Sequence, residues 1–391
     1  SLKKKMRPAT KLLMVTDTPL ITKNGEIKVF EPVFREVQNF KHIFSSITWI
    51  GYDFTRSGKY FTFTSINENN IDFILLKRTG GEGIKNKLIH IFKAIPYMIK
   101  IIKNIKTHDL IHSRGPSYPA FLTIIASLFF KDKKFWHKYA GNWNQKNPPT
   151  SYYLQMLLLK KAIKNNSVAT INGKWPNQKY NILSFENPSL TLNELEEAKQ
   201  KFQKKKYDGK LNFCFVGRME DAKGVERVIK ALKLIHNYSE IDYVYFVGDG
   251  PKISNYKFQA NQIEHDNIIF CGSLERSQLN DIYEKCHAIL LPTSASEGFP
   301  KVIGEAMAYG CIPVVSNISS IDQYVGEKNG IILKTLEPSG LTKTIEEILL
   351  NRDELKKRAH SCINLAKVFS YEAYNKKILK MILKNDYKHI E

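Results

Sequence analysis

The sequence predicts an α/β protein with two doubly wound parallel sheets. The chain has 391 residues, about twice the length of a typical domain. Short apolar runs rich in β-branched and aromatic residues alternate with segments of helical period, as in parallel α/β sheets. The alternation gives way to a polar stretch at 191–210 and then starts again. Because ligands bind at the carboxyl ends of the strands in such folds, we expect the two domains to face a common cleft.

The apolar pattern predicts the elements in order. First-domain strands are expected at 11–16, 47–51, 71–77, 109–112, 134–139 and 168–171, with helices at 88–106, 117–130 and 152–164. Second-domain strands are expected at 211–216, 242–247, 267–271, 287–291, 312–315 and 330–333. We therefore expect an N-terminal domain over 1–190, a C-terminal domain over 191–370, and a helix within 371–391 that packs back on the first domain.

Cysteine usage and hydropathy bear on the compartment. The five cysteines are odd in number, lie in the second half and form no Cys-x-x-Cys pair. This pattern argues against a disulfide framework and a zinc site, and it favours a reducing compartment. The longest apolar run, 119–130, is shorter than the roughly 20 residues of a membrane span. We expect a cytoplasmic protein.

Charge is distributed unevenly along the chain. The net charge is +21, and residues 1–190 carry 30 Lys and Arg against 11 Asp and Glu. Between positions 88 and 106, apolar residues that include Ile95, Ile99 and Ile105 recur at helical spacing, while lysines fall on another face. One interpretation is a basic amphipathic helix on the inner face of the cytoplasmic membrane; the other is a core helix with a solvated lysine face. Nucleic acid is not expected as a partner, since no base-reading motif accompanies the charge.

The window 290–315 carries the most informative motif. Glu297 and Glu305 stand eight residues apart, and Gly298, Phe299 and Pro300 open a helix between them. A carboxylate suits the vicinal hydroxyls of a sugar, while free amides at a helix start suit a phosphate. Together they suggest a nucleotide-sugar. The alternative is a solvated loop acid followed by an acid that favours the helix dipole.

Two further windows have matching chemistry. In 216–224, a strand gives way to a helix, and Arg218 and Lys223 would bring two cations over a diphosphate. Gly217 in that window, and Gly248 after the next strand, allow close approach of the backbone. All three windows follow strands of the same predicted sheet, so they are expected at one edge of it.

The motifs GRMEDAKG, VGDGP and EGFPKVIGEAMAYG, in this order and spacing, resemble the retaining nucleotide-sugar glycosyltransferases of the GT-B fold, family four (glycosyl transferases group 1). The resemblance covers about 211–333 and is weak before that. It implies that Arg218 and Lys223 hold the donor diphosphate, that Glu305 binds the ribose, and that Glu297 meets the transferred sugar as the catalytic residue. It also implies that the backbone of 298–300 lines the phosphates and sugar.

The donor is expected to be a UDP- or GDP-sugar, and no cofactor is expected. The sequence contains no Asp-x-Asp pair, the usual clamp for a metal-bound diphosphate, so we expect activity without a metal ion. The negative charge on the leaving diphosphate would then be stabilised by Arg218, Lys223 and the amides at the helix start. The resemblance further implies that the leaving diphosphate itself accepts the proton of the acceptor hydroxyl.

The first domain is expected to hold the acceptor, although it departs from the family. The loop after the first strand has one glycine, Gly25, beside Asn24, and Ala140 stands where family members often have a histidine. Candidates near strand ends are His112 as a catalytic residue, and Arg114, Asn142 and Trp143 on the acceptor side. His112 at a strand end is also compatible with a structural role, and Trp143 with a buried one.

The sequence therefore predicts a hexosyl-type glycosyltransferase that moves a sugar to a glycan or lipid-linked acceptor in bacterial surface polysaccharide or lipopolysaccharide synthesis. Two alternatives stay open. One is another nucleotide-sugar enzyme of the same fold, such as an epimerase or hydrolase. The other is a non-catalytic nucleotide-sugar binding protein.

Overall fold

The structure is a computed structural model that describes residues 10–56, 62–66, 68–78, 84–164, 166–263 and 265–384, with backbone alone for 84–93. The chain divides into two compact units. Unit 1 comprises Ser1–Phe185 and Asn375–Glu391, and unit 2 comprises Glu186–Tyr374. Each unit contains a parallel sheet flanked by helices, which confirms the α/β prediction.

Unit 1 is built on seven parallel strands in the order β5-β3-β1-β6-β7-β8-β9, with β2 antiparallel to the end of β1 and β4 antiparallel to β2. The strands are β1 Lys11–Lys23, β2 Glu26–Phe30, β3 Ser46–Asp53, β4 Phe63–Ser65, β5 Ile71–Lys77, β6 Leu110–Gly115, β7 Lys134–Tyr139, β8 Ser167–Ile171 and β9 Ile182–Ser184. The helices are α1 Glu31–Phe40, α2 Ile84–Ile105, α3 Tyr118–Ser127 and α4 Thr150–Lys161.

The first strand is longer than predicted, because it continues into a hairpin. Its pairing with β3 shifts register between Val15 and Pro19, and the strand then runs to Lys23. Asn24 and Gly25 form the turn into β2, with φ of 53° and 78°. Asn-Gly is the commonest sequence of a two-residue hairpin turn, since both positions need positive φ. This signal was present in the sequence and was missed.

The buried face of α2 also differs from the predicted one. Tyr97, Ile101 and Ile105 are buried against the sheet, whereas Ile95 and Ile99 are 67% and 61% exposed. The predicted stripe placed Ile95 and Ile99 with Ile105 on one face. Spacing by three and four is compatible with two adjacent stripes, and only packing against the sheet selects between them.

Unit 2 contains six parallel strands in the order β12-β11-β10-β13-β14-β15. The strands are β10 Leu211–Val216, β11 Ile241–Val247, β12 Ile268–Gly272, β13 Ala288–Leu291, β14 Ile312–Ser316 and β15 Ile331–Leu333. The helices are α5 Leu192–Phe202, α6 Val225–Lys233, α7 Ile253–Ala260, α8 Arg276–Lys285, α9 Lys301–Ala308, α10 Pro338–Leu350, α11 Arg352–Ala366 and α12 Tyr371–Lys377. Strand order reverses between β10 and β13, which is where doubly wound sheets bind ligands.

Part of the polar stretch at 191–210 is helical. Helix α5 starts with a capping box in which the side chains of Thr191 and Glu194 each accept a backbone amide of the other residue. Leu195, Ala198 and Phe202 lie on one face and join the core of unit 2. Lys205, by contrast, is enclosed, and its ammonium group donates to the backbone carbonyls of Tyr283, Cys286 and Tyr309.

The last described residues, 375–384, pack within unit 1. After α12, a π-helical turn covers Ile378–Leu383. Asn375 donates a hydrogen bond to the carbonyl of Asn39 (2.8 Å), and Lys134 donates to the carbonyl of Leu383 (3.3 Å). Among the described residues, no helix is both long and apolar enough to cross a bilayer.

Candidate functional site

Two of the sequence motifs meet at the switch point of the unit 2 sheet. The turn after β10 carries Lys223, and the loop after β13 carries Glu297. Lys223 Nζ lies 2.7 Å from Glu297 Oε1, and the two side chains are 19% and 26% exposed. A cation that suits a diphosphate and a carboxylate that suits sugar hydroxyls are thus adjacent.

Backbone hydrogen bonds join the same two segments. The carbonyl of Ala222 accepts the amides of Ser294 (2.7 Å) and Ala295 (3.1 Å) and the hydroxyl of Thr293 (3.1 Å). Arg227 on α6 donates to the carbonyl of Pro292 at 2.8 Å. The position of Glu297 relative to Lys223 is therefore set by the backbone as well as by their ion pair.

Glycines permit this close approach at two points. Gly224 has φ of 91°, and a Cβ there would lie 2.3 Å from the carbonyl oxygen of Pro292. Gly248 has φ of 130°, and a Cβ there would lie 1.9 Å from the carbonyl oxygen of Gly217. Both distances are far inside van der Waals contact, so side chains are excluded where GRMEDAKG meets the loop after β13 and where VGDGP meets GRMEDAKG.

The loop into α9 is fixed from several sides. Asn187 donates to the carbonyl of Phe299 (2.9 Å), and Ser320 donates to that of Gly298 (3.3 Å). The ring of Phe299 stacks on Phe369 with centroids 4.8 Å apart. Pro300 at the N-cap has no side-chain acceptor for the first amides of the helix, which suits an anionic oxygen from a ligand.

Glu305, the residue expected to bind the ribose, is buried between two side chains of α8. It is 7% exposed; Arg276 Nη1 lies 2.9 Å from one carboxylate oxygen, and the Tyr283 hydroxyl donates to the other at 3.1 Å. Burial, together with the Glu305 charge, raises the pKa of Tyr283 far above its ordinary value, so this hydroxyl remains a donor. Sequence reasoning missed both partners, because α8 carries them without a recognisable motif.

Arg218 is the most open of the expected donor residues. Its side chain is 53% exposed, and Nη2 lies 3.6 Å from Glu220 on the same turn. Gly217 at the end of β10 donates its amide to the carbonyl of Val247 at 3.0 Å. The turn is thereby held to β11, while the guanidinium extends into solvent.

His112, expected as a catalytic residue, is a core residue in this structure. The ring is 1% exposed, stacks on Trp136 with centroids 3.9 Å apart, and Nδ1 lies 3.0 Å from the Trp136 carbonyl oxygen. Burial lowers its pKa to about 3, so the imidazole is neutral. A buried, neutral and stacked ring has no access to a substrate, which corrects the expectation.

The acceptor-side candidates also have structural explanations. Asn24 and Gly25 are the exposed hairpin turn described above. Asn142 accepts the amide of Asn144 at 3.0 Å, and Trp143 is 5% exposed in the core of unit 1, with its ring 5.3 Å from that of Tyr139. Because the indole is packed inside, it offers no stacking surface.

Arg114 belongs to a buried ion cluster. Its Nη1 lies 3.2 Å from both oxygens of Glu36, and Lys138 Nζ lies 2.5 Å from Glu36 Oε1. The Glu36 side chain is 1% exposed. The cluster links α1 to β6 and β7, so the structure assigns Arg114 a partner within the fold instead of an open position.

Unit 1 does contain a cavity of about 660 Å³, lined by other residues than those expected. It lies at the carboxyl ends of β3 and β6, just after the part of β1 that pairs with β6, and beside the first turns of α3 and α4. Asp17 and Tyr52 are among its lining residues. Asp17 directly follows a predicted strand, which was the signal available in the sequence.

The comparisons with known proteins agree with the unit 2 site. Residues 196–382 match the family model described as glycosyl transferases group 1. Residues 196–382, which we call the group 1 segment, are therefore similar to the group 1 glycosyltransferases. The group 1 segment contains Arg218, Lys223, Glu297 and Glu305, and it ends before the close of the π-helical turn.

Relatives of the group 1 segment include two curated proteins. An uncharacterized glycosyltransferase of Methanocaldococcus jannaschii is 27% identical over 174 residues, covering 44% of this chain and 42% of the relative. A putative teichuronic acid biosynthesis glycosyltransferase of Bacillus subtilis is 26% identical, covering 38% of this chain and 36% of the relative. The matches thus span less than half the length of these relatives.

A solved structure extends the likeness to nearly the whole chain. Anabaena HepE, determined in complex with UDP and glucose, has a TM-score of 0.66 and 14% identity, covering 95% of this chain and 99% of HepE. At this identity the likeness concerns the fold. The GT-B class, with two Rossmann-like domains, is confirmed.

Proposed function

We propose that this protein is a retaining glycosyltransferase that moves a hexose-type sugar from a UDP- or GDP-sugar to a glycan or lipid-linked acceptor. The observation that carries the proposal is the 2.7 Å pair between Lys223 and Glu297, which joins two motifs of the group 1 segment at the sheet's switch point. The putative teichuronic acid biosynthesis glycosyltransferase, and an uncharacterized protein in the cps region of Klebsiella pneumoniae that is 22% identical over 177 residues, favour surface polysaccharide as the product class.

In this proposal, Lys223 and Arg218 contact the donor diphosphate, and so do the amides at the start of α9, which belong to the motif EGFPKVIGEAMAYG. Stabilising charge that develops on the leaving diphosphate lowers the barrier to transfer. Glu297 contacts the sugar, and Glu305, oriented by Arg276 and Tyr283, accepts from the ribose hydroxyls. The leaving diphosphate takes the acceptor's proton, so that neither His112 nor another protein base is required.

Donor binding and product analysis test the proposal together. Calorimetry with UDP, GDP and their hexose derivatives should reveal one preferred nucleotide, and mass spectrometry with a glycan panel should reveal a hexose added to one acceptor. Isomerised donor would favour an epimerase, and free sugar alone a hydrolase. Tight donor binding with no turnover across the panel would favour a non-catalytic binding protein.

Glu297→Gln separates the sugar contact from the nucleotide contact. Because the amide keeps the size but loses the charge, kcat should fall at least tenfold. UDP or GDP affinity should not fall, since the Glu297 charge no longer competes with the diphosphate for Lys223. Glu226→Gln, an exposed acid that pairs with Lys230 on α6, is the matched control and should leave both unchanged. Full activity in Glu297→Gln would contradict its role.

We further propose that no divalent cation takes part, because the sequence offers cations in place of an Asp-x-Asp clamp. Turnover should persist after dialysis against a chelator. Loss of turnover that manganese or magnesium restores would refute this part of the proposal.

An anionic bilayer is the proposed location of a lipid-linked acceptor. On α2, exposed Ile95 and Ile99 stand beside Lys100 and Lys103, so apolar and cationic groups share one surface. Vesicles containing phosphatidylglycerol should carry the protein to the top of a density gradient, whereas Ile95→Ser with Ile99→Ser should reduce recovery. Equal recovery with neutral vesicles would contradict this location.

A further inference from the structure

The cavity of unit 1 lies where parallel sheets bind ligands. Asp17 follows the straight part of β1, Tyr52 is near the end of β3, and Tyr118 and Phe121 are in the first turns of α3 after β6. Its volume of about 660 Å³ is within the range of small-molecule sites. Position and size therefore fit a bound ligand, and neither the motifs nor the comparisons assign one to it.

Aromatic rings form much of its wall. Tyr52, Tyr118, Phe121 and Tyr152 all line the cavity. Tyr97 lies behind the first two, with its ring 6.2 Å from each of theirs, and its hydroxyl donates to the carbonyl of Lys77. The wall is thus anchored, and it offers flat apolar faces that suit the C–H face of a sugar ring.

The polar groups of the cavity are few and partly held in place. Gln155 accepts the amide of Ser117 at 3.2 Å and donates to the carbonyl of Ser151 at 3.3 Å, which fixes the start of α3 against α4. Asp17 lines the cavity. Desolvation by the surrounding protein raises the pKa of its carboxyl above the ordinary value. Vicinal hydroxyls of a ligand would supply donors to this desolvated group.

Charge limits the chemistry of the ligand. Among the described lining residues, Asp17 is the one with a carboxylate, and none is Lys or Arg, although the chain carries a net charge of +21. The nearby cations Arg114 and Lys138 pair with Glu36 and are not among the lining residues, although the charge of Arg114 also acts on Asp17 and lowers its pKa. A phosphate or uronic acid would face a carboxylate without a lining cation, whereas an uncharged ring avoids that repulsion.

We propose that this cavity binds an uncharged sugar ring of the acceptor, with Asp17 accepting hydrogen bonds from its hydroxyls and the aromatic wall packing on its C–H face. This inference rests on the proposed glycosyltransferase function and names its acceptor class. Hydroxyls of the ring can also accept from the first amides of α4, whose N-cap Pro149 provides no side-chain acceptor.

The first experiment uses the wild-type protein and matched probes. Methyl glucoside, galactoside and mannoside are compared with the corresponding methyl uronides by ligand-observed NMR at millimolar concentration. We expect at least one neutral probe to bind more than tenfold more tightly than its uronide. Tighter binding of the uronides, or no binding by any neutral probe, would overturn the inference.

Charge reversal tests the role of Asp17. Asp17→Asn should weaken binding of the preferred neutral probe at least several-fold. Asp17→Lys should in addition make the protein bind the uronide more tightly than the matching neutral glycoside. Asp132→Asn, an exposed acid in a loop, is the control and should change neither. Thermal unfolding checks that these variants are folded.

Tyr152 and Tyr153 provide a matched pair for the aromatic wall. Tyr152 lines the cavity, whereas its neighbour on α4 is 52% exposed and does not. Tyr152→Ala should abolish detectable binding of the neutral probe, and Tyr153→Ala should leave it intact. Equal effects of both changes would contradict the assigned wall.

Donor binding separates failure of this inference from failure of the proposed function. If the wild-type protein binds no nucleotide-sugar, the proposed function fails. If it binds and transfers from the donor while the Asp17 and Tyr152 variants retain wild-type acceptor kinetics, the cavity inference alone fails. The expected result is unchanged donor affinity in all these variants with a raised KM for the acceptor in those that alter the cavity.

Discussion

Lys223 and Glu297 form an ion pair across 74 positions of sequence, with Nζ 2.7 Å from Oε1. The pair connects the turn after β10 with the loop after β13, and each charge compensates the other in the ligand-free protein. A diphosphate would compete with Glu297 for the ammonium group, which would release the carboxylate toward the sugar. The two residues are therefore expected to respond to the donor together.

Lys223→Met should weaken UDP or GDP binding by more than tenfold, because a charge-assisted contact of roughly 1.5–3 kcal/mol is lost. Titration calorimetry measures this directly. Lys230→Met is the control: this lysine is 58% exposed on α6 and pairs with Glu226. Unchanged nucleotide affinity in Lys223→Met would refute the diphosphate contact.

Arg276→Met should destabilise unit 2, because it leaves the Glu305 carboxylate buried without its cation. Breaking such a pair costs about 3–5 kcal/mol. The double variant Arg276→Met with Glu305→Gln should recover part of that loss, since the charge is gone. Denaturant unfolding measures both, and a double variant no more stable than Arg276→Met would show that the pair is not the cause.

Gly248→Ala should destabilise the fold and weaken donor binding, because its Cβ would overlap the Gly217 carbonyl oxygen. Gly272→Ala isolates the conformational part of this cost: Gly272 has φ of 68° with nothing within 4 Å of a Cβ. That control should lose about 1–2 kcal/mol. Similar losses in both variants would argue against the clash.

Stability should fall as pH is lowered below about 6.5, because burial lowers the pKa of His112 and His137 to about 3 each. Their unfolded forms bind protons near the ordinary pKa of 6.5 while the folded forms stay neutral. By pH 5 this amounts to roughly 2 kcal/mol per histidine. Denaturant midpoints should fall less steeply from pH 7.5 to 5 in His112→Gln than in the wild-type protein. An unchanged slope in His112→Gln would contradict the buried neutral state.

Local sequence pattern was a reliable guide to several elements. The strands at Ile71–Lys77, Lys134–Tyr139 and Leu211–Val216 begin and end where the apolar runs predict. Each run is followed by turn residues, so neighbours along the chain suffice to delimit it. The Asn24-Gly25 hairpin turn is likewise indicated by adjacent residues alone. The sequence analysis interprets Gly25 as part of an acceptor-binding loop and therefore does not predict the hairpin.

Long-range contacts decided the roles of individual side chains. Whether His112 and Trp143 face solvent or the core depends on which helices cover the sheet, and the pattern of the strand alone does not specify that. In the same way, the register of α2 was ambiguous because Ile95 and Ile99 satisfy the helical period as well as the buried Tyr97 and Ile101 do.

By itself, the sequence determined the fold class, the order of the unit 2 strands along the chain, and the three motifs of the group 1 segment, because these depend on local periodicity and on glycines that permit tight turns. Only the tertiary structure shows that Arg276 and Tyr283 contact Glu305. The same holds for the pair of Arg114 with Glu36 and for the cavity beside Asp17. Those arrangements join side chains 22 or more positions apart, and their partners are selected by how helices pack on a sheet.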